Sequence, residues 1–250
     1  MRRLISFFLL MFFLTSLGAH ADPHSTYDEG VRLYRENDMP AAISMWESLL
    51  RSNTVSGPLL YNLGNAYYRQ GEIGKAILFY DRAIRRMPRD ADVRENLELA
   101  RMAVVDEIES PVRLVIWNWV DSVRDYLSLR ELATLLQFVG LLAVIVLLVV
   151  RFGPAGVRRW AKIAATIAVA VFLIAGSWYG WRASLDGREY AIILVDKTDV
   201  RSAPNEASQQ IFSLHEGTKV RCRERLGAWV HIQLSDGRKG WMPVVDAEVI

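Results

Sequence analysis

The chain has 250 residues, of which 52% are hydrophobic, and a net charge of +2. That is too apolar for one uniform soluble domain and too evenly charged to point to nucleic acid. Arg2 and Arg3 are the only charges in the first 21 residues, so their removal would leave a net charge of zero. The single cysteine, Cys222, excludes an internal disulfide and any cysteine-cluster metal site. Residues 1–21 show a basic start, an apolar run from Leu4 to Leu14 and a small-x-small site at Ala19-His20-Ala21. This predicts a secretory signal peptide, with everything after it exported.

Residues 25–108 carry a helical repeat. Leu60, Leu63 and Tyr67 recur at helical spacing, as do Ala76, Tyr80 and Ala83, with Gly71 between the two runs and Pro88 as a stop. One period earlier Gly30 matches Gly64, Ala42 matches Ala76 and Trp46 matches Tyr80, each 34 positions apart. Asn37-Asp38 before Pro40, and Gly57-Pro58, read as helix starts. Leu97 continues the phase of Leu63, but Glu98 stands where Gly64 stood. The third unit is therefore expected to be a capping helix with a polar outer face. Two repeats and a cap make a short stack, which predicts support from a partner or a membrane surface. Asp81, Asp90, Asp92, Glu95 and Glu98 read as solvated charges.

Pro111 breaks the pattern. Residues 111–129 then place Val112, Ile116, Val120, Val123 and Leu127 on one helical face, near Trp117 and Trp119. This suits a helix lying at a membrane interface; a helix packed on the repeats is the alternative. Residues 132–150 and 163–181 are 19-residue uncharged blocks, close to the roughly 20 residues that cross a bilayer. Between them, residues 151–162 hold Arg151, Arg158, Arg159 and Lys162 without an acid. The positive-inside rule assigns this segment to the cytoplasm as a short basic loop. Both soluble modules are thereby expected on the exported side of the membrane.

Residues 190–250 turn to strands. Tyr190–Val195 is an apolar run, Gly217-Thr218 introduces Lys219–Arg225, Trp229–Leu234 alternates, and Asp236-Gly237 is a hairpin turn before Gly240-Trp241. The spacing predicts a small β-barrel. A loop at Leu226–Ala228 would pair Glu224 with Val230, Cys222 with Ile232 and Val220 with Leu234. His231 then opposes Arg223 and points away from Cys222, so no cysteine–histidine dyad is expected and Cys222 reads as a buried core residue. Arg221, Arg223 and Arg225 form an expected outward basic stripe, which with Trp229 and His231 makes a candidate surface on this module. A solvated edge that resists strand pairing is the plainer account of the stripe. No metal site, cofactor loop or catalytic carboxylate pair is apparent.

The repeat positions Leu60, Leu63, Gly64, Tyr67, Ala76, Tyr80, Ala83 and Pro88 resemble the tetratricopeptide (TPR) pattern. The tail EGTKV…GAWVHIQLSDGRKGWMP is similar to bacterial SH3-like domains. The whole order, together with DADVRENLELAR after the repeats, resembles the BatE-type proteins of aerotolerance (Bat) operons. The fold class is then a multi-domain membrane protein: an all-α TPR repeat, a two-helix transmembrane hairpin and a small all-β SH3-like barrel. The expected function is a non-enzymatic scaffold in the periplasm, anchored in a bacterial inner membrane; the resemblance implies that it acts with von Willebrand factor A-type membrane proteins in oxidative or envelope stress. It places the groove positions on Tyr27, Tyr34, Arg35, Tyr61, Asn65, Tyr68, Arg69 and Asn96. Tyrosine, arginine and asparagine suit capture of a peptide segment; for the tyrosines, plain packing is the alternative. The other functional expectation is a module whose barrel grips peptidoglycan.

Overall fold

The computed structural model describes residues 23–108, 116–117, 120–121, 123, 126–187 and 189–250. The expected signal peptide and most of the expected interfacial helix at 111–129 lie outside these residues. The chain divides into two compact units, residues 1–55 and residues 56–250.

In the first unit, α1 (Pro23–Arg35) and α2 (Met39–Arg51) form one antiparallel pair. Asn37 takes a left-handed φ of 66° at the turn, and the Asp38 carboxylate accepts from Ala41 N at 3.1 Å to start α2. Trp46 is buried to 1% exposure against Gly30.

The second unit begins with the same construction. α3 (Gly57–Gln70) starts at Ser56, whose hydroxyl accepts from Leu59 N at 3.3 Å. It ends at Gly71 with φ 82°, where a left-handed residue costs glycine nothing. α4 (Ile73–Arg86) returns along it. Leu60, Leu63, Tyr67, Ala76, Tyr80 and Ala83 are all buried between the two helices. Gly64 is required here: a Cβ at that position would stand 2.5 Å from the Tyr80 ring. α5 (Ala91–Met102) follows from an Asp90 cap and buries Val93, Leu97 and Ala100, while Glu98 faces out as expected of a capping helix.

α6 (Leu129–Phe152) opens with a capping box between Ser128 and Glu131 and pairs with α7 (Ala155–Asp186). Both helices are long and apolar enough to cross a membrane. Large side chains on both, such as Phe138, Leu141, Leu173 and Ile174, are exposed. The expected 151–162 loop is not a loop: only Gly153 and Pro154 separate the helices, and Arg158, Arg159 and Lys162 ride on the first turns of α7. Arg89, just past α4, pairs with Glu131 and lies 5.3 Å from the Tyr126 ring. The repeat end is thus tied to the start of α6.

The remaining chain is an antiparallel seven-stranded sheet: β1 (Tyr190–Ile193), β2 (Lys197–Arg201), β3 (Gln210–His215), β4 (Lys219–Leu226), β5 (Trp229–Gln233), β6 (Lys239–Pro243) and β7 (Ala247–Val249). The order across the sheet is β3-β2-β6-β5-β4-β1-β7. Ala191, Ile193, Val200, Leu214, Val220, Val230, Ile232, Leu234 and Met242 make its core. Ile192, on the opposite face of β1, is equally buried because α4 packs on that strand. The second repeat thus packs against the chain's own β-domain, a contact that the repeat pattern does not signal.

Candidate interaction surfaces

The docking of the β-domain on the second repeat is electrostatic at its centre. Asp81, expected to be a solvated charge, is instead buried at 4% exposure on α4. Its carboxylate accepts from Lys219 Nζ on β4 at 3.0 and 3.1 Å and from Arg101 on α5 at 3.2 Å. Burial holds the Lys219 ammonium below the usual lysine range, against the pull of Asp81. Beside it, Asp106 accepts from the Thr218 hydroxyl at 2.6 Å, from His215 N at 2.7 Å, and contacts His215 Nδ1 at 2.7 Å. Burial works against ionisation of Asp106, but the Thr218 and His215 hydrogen bonds outweigh it and hold the carboxyl below its ordinary range. The β3–β4 turn between them approaches the helices so closely that Gly217, at φ 85°, leaves no room for a Cβ next to Val104 and Ile77. Glu216 Oε1 accepts from Gly74 N at 2.7 Å and so caps α4. None of Asp81, Asp106, Glu216 and Lys219 was singled out from the sequence as a contact between modules.

The positions read as a groove divide between the units. In the first, Tyr27 and Tyr34 pack their rings 6.5 and 5.9 Å from Trp46, so both are spent at least partly on packing, and Arg35 is exposed. In the second, three of the five form a polar chain. Tyr80 Oη donates to Asn65 Oδ1 at 2.7 Å, and Asn96 Nδ2 bonds both Asn65 Oδ1 at 2.9 Å and Tyr61 Oη at 3.0 Å. Asn65 therefore accepts twice, which directs its amide N–H groups away from the chain. Tyr68 and Arg69 are exposed one helical turn along α3.

On the β-domain, β4 and β5 meet through a two-residue turn, Gly227-Ala228, not the expected three-residue loop. A bulge between Cys222 and Glu224 absorbs the difference. Cys222 still pairs with Ile232 as expected, but Glu224, not Arg223, opposes His231, and Arg225, not Glu224, opposes Val230. The expected basic stripe is broken as a result: Arg225 is out of phase with Arg221 and pairs with Glu189 at 3.1 Å. Cys222 is half-buried against the core, and burial pushes its thiol above the usual range despite Arg225. His231 sits on the other face, 5.0 Å from the Trp241 ring, so the two form no dyad. Trp229, His231 and Gln233 share that outward face. Trp241 belongs with them and was not among the expected residues. Among the described residues, no group of three or more His, Cys, Asp and Glu side chains could hold a metal ion.

Comparison with known families agrees with both modules. Residues 27–91 match the tetratricopeptide repeat family and residues 196–246 match the bacterial SH3 domain. The chain contains a TPR repeat and a bacterial SH3 domain. No curated protein matches it. The first module suggests binding of other proteins and the second suggests binding to the cell wall.

Proposed function

We propose that this protein is a non-enzymatic, membrane-anchored scaffold of the bacterial envelope, with the α3–α5 surface as its partner-binding face. The observation that carries this reading is the Tyr80–Asn65–Asn96–Tyr61 chain. It fixes two amides and two tyrosine hydroxyls beside the exposed Tyr68 and Arg69. Pre-ordered polar groups next to an exposed aromatic and a guanidinium can hold a peptide segment at low entropic cost. In this reading α6 and α7 cross the inner membrane, with the basic stretch at their cytoplasmic end, and both modules stand in the periplasm. The domain order supports a BatE-type role with von Willebrand factor A-type partners in envelope or oxidative stress.

The test is crosslinked co-purification from membranes with Tyr68→Ala plus Arg69→Ala, two exposed positions outside the buried chain. Loss of the captured partner at unchanged membrane level is expected. Undiminished capture removes this face from the mechanism. The outward Trp229–His231–Trp241 face favours a second reading, peptidoglycan binding through the β-domain. It requires full-length protein to pellet with purified wall material, and Trp241→Ala to reduce the pelleting.

A further inference from the structure

Between the end of α5 and strands β4 and β5 lies a cavity of about 590 Å³, within the size range of small-ligand sites. Four cations line it: Arg101, Lys219, Arg221 and Arg223. Two carboxylates approach from the docking interface, and both are engaged there. Asp81 holds Lys219 and Arg101, and Asp106 holds Thr218 and His215. Among the described residues, Arg223 bonds only the neutral Gln233 side chain and Arg221 has no ion pair. The cavity thus carries surplus positive charge in a site walled partly by protein, where an anion is favoured more than at an open surface. Val104, Ile108 and Leu234 add apolar side chains to the same lining.

We infer that this cavity receives a peptide chain end: the terminal carboxylate at Arg221 and Arg223, the last side chain against Val104 and Leu234. A guanidinium fork matches a carboxylate through two parallel hydrogen bonds. The apolar side chains of the lining favour an anion that carries a hydrocarbon group over a bare one. Such an end can belong to a partner protein or to a wall stem peptide, and the chemistry is shared. The site is separate from the α3–α5 face, so its fate does not depend on that face binding anything.

Isothermal titration of the full-length protein in detergent micelles tests it. The probes are an N-acetylated tetrapeptide ending in leucine, the same peptide as its C-terminal amide, an N-acetylated peptide ending in D-alanyl-D-alanine, and inorganic phosphate. One free-acid peptide is expected to bind, the leucine amide at least tenfold more weakly than its acid when the leucine acid binds, and phosphate more weakly than the peptide acid. Arg221→Gln with Arg223→Gln should abolish binding without changing the thermal unfolding profile. Tighter binding of the leucine peptide assigns protein tails, and tighter binding of the D-alanine peptide assigns stem peptides. No binding by either acid, equal binding of the leucine acid and its amide, phosphate as tight as the peptide acid, or retained binding by the double variant overturns the inference.

Discussion

The two helical repeats share a packing solution and differ in where their polar needs are met. Gly30 receives Trp46 as Gly64 receives Tyr80, with a close approach that admits no Cβ in either case. From there they diverge. Trp46 Nε1 donates to the Tyr27 carbonyl within its own repeat, at 3.2 Å, while Tyr80 Oη joins the amide chain that runs to α5. α2 is capped by Asp38 in the residue just before it and carries Pro40, which has no N–H to satisfy, near its start. At the equivalent place in α4, Gly74 exposes an N–H and the cap comes from Glu216, 142 positions away. Glu47 pairs with Arg51 on its own helix at 3.6 Å, and 34 positions later Asp81 is buried against the β-domain. A repeat sequence fixes the packing of its helix pair. Whether a given polar position serves the pair or a neighbouring module depends on what the chain brings there later.

The largest effect should come from the pair of positions that differ most. Asp81→Ala leaves Lys219 and Arg101 facing each other without the carboxylate between them, and should cost about 2–4 kcal/mol. Glu47→Ala removes a surface pair and should cost below about 0.5 kcal/mol. Denaturant unfolding of the detergent-solubilised protein measures both. Similar costs would mean that the buried carboxylate adds nothing to the docking of the β-domain.

The two caps provide a finer comparison. Asp38→Ala and Glu216→Ala each remove one acceptor from a helix start, worth about 1 kcal/mol. Their reach should differ. Hydrogen exchange should quicken only in α2 for Asp38→Ala, but in both α4 and β1 for Glu216→Ala, because that side chain bridges helix and sheet. If Glu216→Ala quickens exchange in α4 alone, it acts as a cap and not as a tie between modules.

What could be seen in the sequence follows the same division. Helix pairing was legible because small and large residues at a fixed period leave one way to pack. The start and stop residues were legible because they act on backbone groups within a few positions. The burial of Asp81 is not legible in the sequence because its partners lie 20 and 138 positions away, and helical spacing alone does place it among charged neighbours. Tyr190–Val195 did hold the missing signal: a short strand that is apolar without alternation is covered on both faces. Ile192 against α4 is that second covering. Strands β2, β3 and β7 have little signal in the sequence, because KTDVR, QIFSLH and AEV are short and mix polar with apolar residues. The β4–β5 face was placed correctly at Cys222 by two compensating departures, a shorter turn and a bulge. Neither has a strong side-chain signature, and for that reason Arg225, the arginine beyond the bulge, falls on the other face from the one the sequence predicts.

The smallest effect is a pH dependence confined to the β3–β4 turn. Asp106 is held below the ordinary aspartate value of 3.8 by Thr218 and His215, against the opposing effect of burial. A carboxyl depressed in the folded state contributes stability that is complete above its unfolded value. That contribution is lost as the pH falls from the unfolded value through the lower folded one. Docking of the turn should therefore hold near neutrality and weaken progressively below about pH 4. Protection of the His215 amide, which donates to Asp106 at 2.7 Å, reports it directly. In Asp106→Asn the side chain does not titrate, so protection should start lower, by less than about 1 kcal/mol, and lose its acid slope. Among the described residues the first repeat has no counterpart to this contact, and protection within α2 should follow the same curve in both proteins. An unchanged acid slope at His215 in the variant would assign the low-pH loosening to other carboxylates and remove Asp106 from the docking.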